Sequence, residues 1–287
     1  MLVIVDSGST KADWRFITDP ANIVAHSTQG FNPFLHDSDY VWEVLKTTLL
    51  PKIEAEKVQK VVFYGAACSS PERCAIIEVA LRRCFETAEI QVEHDLLACA
   101  RASLQDQPGV SCIIGTGSNS CAYDGQRITD NITNLGYFLG DEGSGGHLGK
   151  LLIQAYFYRE MPADILKVFE DTYQMDKAAI ISEIYGKAPN VFLASFAKFM
   201  SEHKAHPFVQ DLVNDAFEVF VKRHICKYTQ HLHYPIAFVG SIAFHFKDIL
   251  QTVLNRHALQ LGQIIQKPID PLVNYHLKEE KLIASDH

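Results

Sequence analysis

Several short stretches of this 287-residue chain bring together side chains that could do chemistry. The first is Asp6-Ser7-Gly8-Ser9-Thr10-Lys11, where an acid ends an apolar run and a glycine, hydroxyl residues and a lysine follow. Gly8 can take backbone conformations closed to other residues. The backbone N–H groups and the hydroxyls of Ser9 and Thr10 can converge on one anion, with Lys11 adding positive charge. An acid beside a phosphate site is unfavourable unless a cation lies between them, so Asp6 here implies Mg²⁺. An ordinary β-hairpin with a polar turn would show the same residues.

The second stretch, Gly115-Thr116-Gly117-Ser118-Asn119, again follows an apolar run and flanks a hydroxyl residue with glycines. Two such turns read together as a polyphosphate clamp. Neither G-x-x-x-x-G-K-[ST] nor a G-x-G-x-x-G after a strand occurs. The third stretch, Leu139-Gly140-Asp141-Glu142-Gly143-Ser144-Gly145-Gly146, joins two carboxylates to four glycines. That suits close ligand approach or a hinge, or else a flexible linker. The fourth is Glu93-His94-Asp95. Asp95 is the expected N-cap of a helix, and a carboxylate at a strand end can also accept a proton from a substrate hydroxyl. Spacing favours the cap. The fifth, Phe238-Val239-Gly240-Ser241, turns a strand into a helix, either against a flat ring such as adenine or for packing alone. The pair His231-x-His233 has no third ligand in sequence and reads as packing rather than metal.

The elements that must position these residues follow from apolar period and turn residues. Strands are expected at 2–6, 12–17, 22–28, 60–64 and 89–93, with helices at 38–56 (strained near Pro51), 71–86 and 95–105. The order then begins again, with strands at 110–115, 119–123 and 126–131. Helices follow between about 144 and 229. A strand at 236–239, a helix at 242–257, a strand at 260–265 and a last helix from 271 close the chain. Both halves open with an apolar strand, a Gly/Ser/Thr turn and another strand, which points to an internal duplication. Such halves are expected to set their turns face to face across a cleft. The boundary is placed at the polar cluster 105–109. That gives domains at 1–107 and 108–287, with a helical insertion at 144–229 and a last helix that could pack back on the first domain.

Composition sets outer limits. The net charge is −8 and the pI about 5.9, which argues against broad electrostatic binding to nucleic acid or an anionic membrane. The start of the sequence has neither a basic n-region nor a secretory h-region. Seven cysteines, an odd count with no C-x-x-C, read as small buried hydrophobes in a reducing cytoplasm.

Taken together, DSGSTKADW, EHDLLACARA, GTGSNS, GYFLGDEGSGG and FVGSIAFHF, in this order and spacing, resemble the N-acetylglucosamine kinase branch of the BadF/BadG/BcrA/BcrD ATPase family. That branch lies within the actin/Hsp70/sugar kinase superfamily. The resemblance implies an α/β fold of two ribonuclease H-like domains around a nucleotide cleft, and ATP-dependent phosphorylation of an amino sugar such as N-acetylglucosamine. It implies ATP phosphates on Gly8, Ser9, Thr10, Lys11, Gly115, Thr116 and Gly117, with adenosine by Gly240 and Ser241. It further implies Mg²⁺ held through water by Asp6, the sugar held by Asn32, Ser118, Asn119 and Asp141, and Asp95 as general base. The chain departs from the branch at Asn134-Leu135, where Gly-Trp is usual, and lacks a Gly/Ala-rich C-terminal segment. Two rival readings are a non-kinase ATPase switch related to dehydratase activators and a catalytically silent sugar or nucleotide sensor. The helical region at 144–229 could supply a homodimer surface.

Overall fold

The computed structural model describes residues 1–174, 176–229 and 233–285. His231 of the pair noted above lies outside them. The chain forms two compact units. One comprises Met1–Gln105 together with the chain from Pro268 onward, and the other comprises Asp106–Lys267. The division thus falls at 105/106, two residues before the expected boundary, and the C-terminal segment returns to the first unit.

In the first unit the strands are β1 (Leu2–Ser7), β2 (Lys11–Asp19), β3 (Asn22–Gln29), β4 (Lys60–Gly65) and β5 (Glu89–His94). The helices are α1 (Ser38–Thr48), α2 (Pro71–Cys84) and α3 (Asp95–Leu104). The sheet order is β3-β2-β1-β4-β5. The first three strands are antiparallel, and β4 and β5 run parallel to β1. Val3, Ile4 and Val5 are all fully buried, as a central strand covered on both faces requires. Val3 and Val5 join a core with Trp14, Phe63, Val41, Leu45, Ile77 and Leu81. Each such side chain contributes about 1.5–3 kcal/mol when buried.

The second unit repeats the plan with β6 (Gly109–Ile114), β7 (Ser118–Tyr123), β8 (Ile128–Asp130), β9 (Ile236–Val239) and β10 (Leu261–Ile265), in the order β10-β9-β6-β7-β8. Between β8 and β9 lie α4 (Gly136–Leu139), α5 (Gly145–Phe157), α6 (Ala163–Thr172), α7 (Lys177–Ile184), α8 (Pro189–Ser195), α9 (Ala197–Glu202) and α10 (Pro207–Arg223). After β9 come α11 (Ser241–His245) and α12 (Lys247–Arg256). The closing helix α13 (Ile269–Ser285) is tied to the first unit. Tyr64 Oη lies 2.8 Å from His276 Nε2, and Asp270 pairs with Arg15 at 2.9 Å. The same strand order and the same antiparallel-then-parallel sense in both units identify two ribonuclease H-like α/β folds.

Three expectations need correction. The helix expected over 38–56 stops at Thr48, and Leu50–Lys52 turns as a short 3-10 segment. Pro51 cannot donate a helical N–H, and its ring crowds the preceding turn. The helix expected over 242–257 is two helices, parted at the buried Phe246. The strand expected over 126–131 is only three residues long, because its pairing with β7 shifts register. Among the described residues no disulfide forms, and Cys68, Cys84, Cys99, Cys112 and Cys121 are buried. No described helix is long and apolar enough to cross a membrane.

Candidate active site

In the first unit, the hairpin joining β1 to β2 carries Gly8, Ser9 and Thr10 at its exposed tip. Gly8 N–H donates to the Lys11 carbonyl at 3.0 Å, which closes the turn. Gly8 is not among the positive-φ residues, so the conformational freedom expected of it is not what the turn uses. The glycine with a steric requirement is Gly30, just after β3. A Cβ there would lie 2.6 Å from the Lys11 nitrogen. Next to it, Phe31 N–H donates to Ser7 Oγ at 3.2 Å, and Asn32 Nδ2 donates to Ser9 Oγ at 3.1 Å. The expected sugar residue Asn32 and the phosphate-turn residue Ser9 are therefore directly bonded. Lys11 does not stand free for an anion: its ammonium lies 2.6 Å from Asp13 Oδ1.

Asp6 and Asp13 face each other across the β1–β2 ladder. Asp6 is pushed up to about 7, first by burial and then by the charges of Asp95 and Asp13. Asp95 opens α3. The structure corrects its expected capping role, because His94 is the N-cap and its Nδ1 accepts the Leu96 N–H at 3.1 Å. The Asp95 side chain keeps about 30% of its surface. Burial raises its pKa, with the His94 ring and the Leu96 amide pulling the other way. Asp6 and Asp95 are thus two interacting carboxylates, both half-buried. Asp13 belongs with them. Its signal in the sequence was the hairpin register, which pairs position 6 with 13 once 7 pairs with 12.

In the second unit, β6 ends in the 115–118 turn. Gly115 N–H donates to the Gly117 carbonyl at 2.9 Å, and a Cβ on Gly115 would enter open space. The turn is stitched to the start of α5, where Gly145 N–H donates to the Gly115 carbonyl at 2.8 Å and Gly146 N–H to the Thr116 carbonyl at 3.0 Å. Gly240, at φ +126, leads β9 into α11 beside the same strand end. A Cβ there would lie 2.3 Å from the Ile114 carbonyl oxygen, so only glycine lets the two turns meet. Ser241 follows, exposed at the first position of α11.

The carboxylate-bearing loop lies against this turn. Asp141, at φ +56, accepts the Ser118 N–H on Oδ1 at 3.0 Å and the Asn134 amide on the same oxygen at 2.8 Å. Asn134 also donates to the Ser118 carbonyl. Burial raises the Asp141 pKa. Ser118 Oγ donates to the Glu142 carbonyl at 2.8 Å, so this expected sugar contact is occupied in holding the loop. Asn119 Oδ1 accepts from Ser120 N–H at 2.9 Å and from Asn131 Nδ2 at 3.1 Å. Glu142 is bound by Arg223 Nη1 at 2.6 Å and His224 Nε2 at 3.2 Å. Although burial pushes Glu142 up, these bonds hold it below the usual carboxylate range. Nothing in the sequence pointed to Arg223 or His224.

Neither the known family models nor the curated proteins contain a match to this sequence. Solved structures do match it. A Porphyromonas gingivalis protein provisionally assigned as an N-acetylglucosamine kinase is 39% identical, with 96% of this chain and 98% of that one covered and a TM-score of 0.91. A Chromobacterium violaceum protein with the same provisional assignment is 18% identical, with a TM-score of 0.68 over 96% and 98% of the two chains. A Listeria monocytogenes protein provisionally assigned as an N-acetylmannosamine kinase is 13% identical, with a TM-score of 0.53 over 97% and 99%. The latter two share the fold alone. The identity and near-complete coverage of the first, together with two ribonuclease H-like units that each carry a glycine turn, place this chain in the N-acetylglucosamine kinase-like family of sugar kinases.

Proposed function

We propose that this chain transfers the γ-phosphoryl group of ATP to a hydroxyl of an amino sugar, N-acetylglucosamine or a close relative, with Asp95 as the general base. The observation that carries this reading is the state of Asp95. It opens α3 without being spent as its cap, it stays partly open, and its pKa is raised near the half-buried Asp6. A carboxylate of raised pKa is a better proton acceptor than an ordinary one.

Phosphoryl transfer asks the protein mainly for alignment and charge neutralisation. The 8–11 turn offers the backbone amides and hydroxyls of Ser9 and Thr10 to phosphate oxygens. The 115–117 turn offers a glycine backbone, with open space at Gly115 where a side chain would stand. The glycine-only approach of the 240–241 turn to Ile114 leaves room beside the 115–117 turn for the adenosine end. Asp141 would hold a sugar hydroxyl through Oδ2, its Oδ1 being taken by Ser118 and Asn134; Asn32 is proposed separately as a sugar contact. As bonding to phosphorus develops, the attacking hydroxyl gives its proton to Asp95 Oδ.

Mg²⁺ fits this chemistry. Asp6 is a half-buried carboxylate repelled by two others, and a divalent cation would relieve that repulsion. Among the described residues no three His, Cys, Asp or Glu groups could ligate a metal directly. Asp6 would hold Mg²⁺ through water, the usual habit of that ion beside phosphates. When bound, the ion neutralises phosphate charge.

The test is ADP release coupled to a panel of amino and neutral sugars, with and without Mg²⁺, and the product identified by ³¹P NMR. Mg²⁺-dependent turnover of an N-acetylated amino sugar well above the sugar-free rate is expected. A rate no higher with any sugar than without would end the proposal.

A further inference from the structure

The most closely built polar cluster that the reading above leaves without a role surrounds Glu142. Its backbone is held between two residues in the left-handed region, Asp141 at φ +56 and Gly143 at φ +75. A non-glycine residue there is strained and persists only where its surroundings over-determine it. Part of that determination comes from the Ser118 hydroxyl on the Glu142 carbonyl and from Gly143 N–H, which donates to His147 Nδ1 at 3.0 Å. The rest comes from the Glu142 side chain. Its carboxylate is almost fully buried and is met by two consecutive residues at the end of α10, Arg223 and His224. The Arg223 side chain reaches it from solvent, 64% exposed, whereas His224 is buried and stacked on Phe220 with ring centroids 4.9 Å apart. A buried carboxylate must be compensated. Wherever the end of α10 stands, Glu142 must follow, and Asp141 is its neighbour in the chain.

We infer that Arg223 and His224 are positioning residues: through Glu142 they fix the 140–146 loop, and so aim Asp141 at the acceptor sugar. Neither touches the sugar or the reacting phosphate. For its effect on turnover, this role rests on the sugar-kinase reading above. It assigns the helical insertion a part in acceptor binding. The 115–117 turn is tied to the loop at Gly145 and Gly146 but is also held by its own Gly115–Gly117 bond at the end of β6, so ATP binding is expected to change less than sugar binding.

The test uses the full chain carrying Arg223→Ala, Arg223→Lys or Glu142→Gln. Arg223 is exposed enough that its truncation opens no core cavity, and Glu142→Gln keeps the shape of the side chain, so both variants should fold. Arg223→Ala and Glu142→Gln should raise KM for the amino sugar about tenfold or more, within the range for a loop-borne group displaced by an ångström or so. KM for ATP should rise clearly less than KM for the sugar. Arg223→Lys should recover most of the loss, because an ammonium still neutralises Glu142. Hydrogen exchange supplies a readout that needs no substrate. The amides of 143–146 should exchange faster in Arg223→Ala, while those of β6 stay protected. A fall in Tm with unchanged sugar KM would overturn the inference, as would equal rises in both KM values or unaltered exchange at 143–146. A wild-type chain that phosphorylates no sugar would refute the functional reading instead, and the exchange result would then decide the positioning role alone.

Discussion

Gly30 stands against Gly8 so closely that a Cβ on it would lie 1.9 Å from the Gly8 carbonyl oxygen. The segment leaving β3 and the turn leaving β1 are therefore packed backbone on backbone. Ser7–Phe31 and Ser9–Asn32 hydrogen bonds stand on either side of that contact. The expected phosphate turn and the expected sugar residue Asn32 are thereby tied to each other.

Replacing Gly30 with alanine should accordingly disturb both substrates. Gly30→Ala is expected to lower kcat/KM for ATP and for the sugar together by about 10²-fold or more, because the turn must shift by ångströms to admit the methyl group. Steady-state kinetics with each substrate varied in turn would check this. A change confined to one substrate would contradict that tie.

Asp95→Asn should keep the fold and lose the chemistry. The helix is capped by His94, so Tm should hold while kcat falls by at least about 10²-fold. His94→Ala should do the reverse, costing about 1 kcal/mol of stability as a lost cap does with a much smaller effect on kcat. Thermal unfolding and turnover measured on both variants would separate the two roles.

Asp6 sets a pH dependence. Its folded pKa of about 7 lies above the ordinary 3.8. Between those values the folded chain binds more protons than the unfolded one, so stability present below about 4 is lost as pH rises through about 7 and levels off above it. The difference corresponds to at most ~4 kcal/mol. Asp6→Asn should flatten this part of the Tm–pH curve and raise Tm at pH 8, while abolishing phosphoryl transfer. Parallel curves for the variant and the wild type would show that Asp6 is not the group responsible.

Gly117 makes room for Asp141, since a Cβ on it would lie 3.0 Å from both carboxylate oxygens. Gly117→Ala should push that carboxylate aside and raise KM for the sugar by about tenfold. Sugar binding by calorimetry would report the same loss.

Gly240→Ala places a methyl group 2.3 Å from the Ile114 carbonyl oxygen at a φ of +126. Strain of this kind costs about 1–3 kcal/mol. The turn must move away from β6, and KM for ATP should rise more than KM for the sugar. Equal changes in the two constants would argue against an adenosine-side role.

Much of this was legible along the chain because it depends on near neighbours. The apolar strands, the turn after each of β1 and β6, the helix start at Pro71 and the disturbance at Pro51 all follow from local backbone chemistry. The repeated order of elements foretold the repeated sheet. Other features needed partners distant in sequence. Asp95 read as a cap because its residue type favours capping, yet the preceding histidine offers its ring nitrogen in the geometry the helix end presents. Lys11 read as a phosphate ligand, but its partner is a carboxylate two residues on.

By itself, the sequence determined two glycine turns on two apolar strands, with carboxylates at 6, 95 and 141, since local conformation and strand order are set by residues close together. Tertiary structure alone decided that the half-buried Asp6 feels the charge of Asp95 and that Gly30 abuts Gly8. It also decided that Glu142 is clamped by Arg223, 81 positions along the chain. Burial and charge pairing are properties of packed surfaces, and no spacing rule along the chain specifies which surfaces will meet.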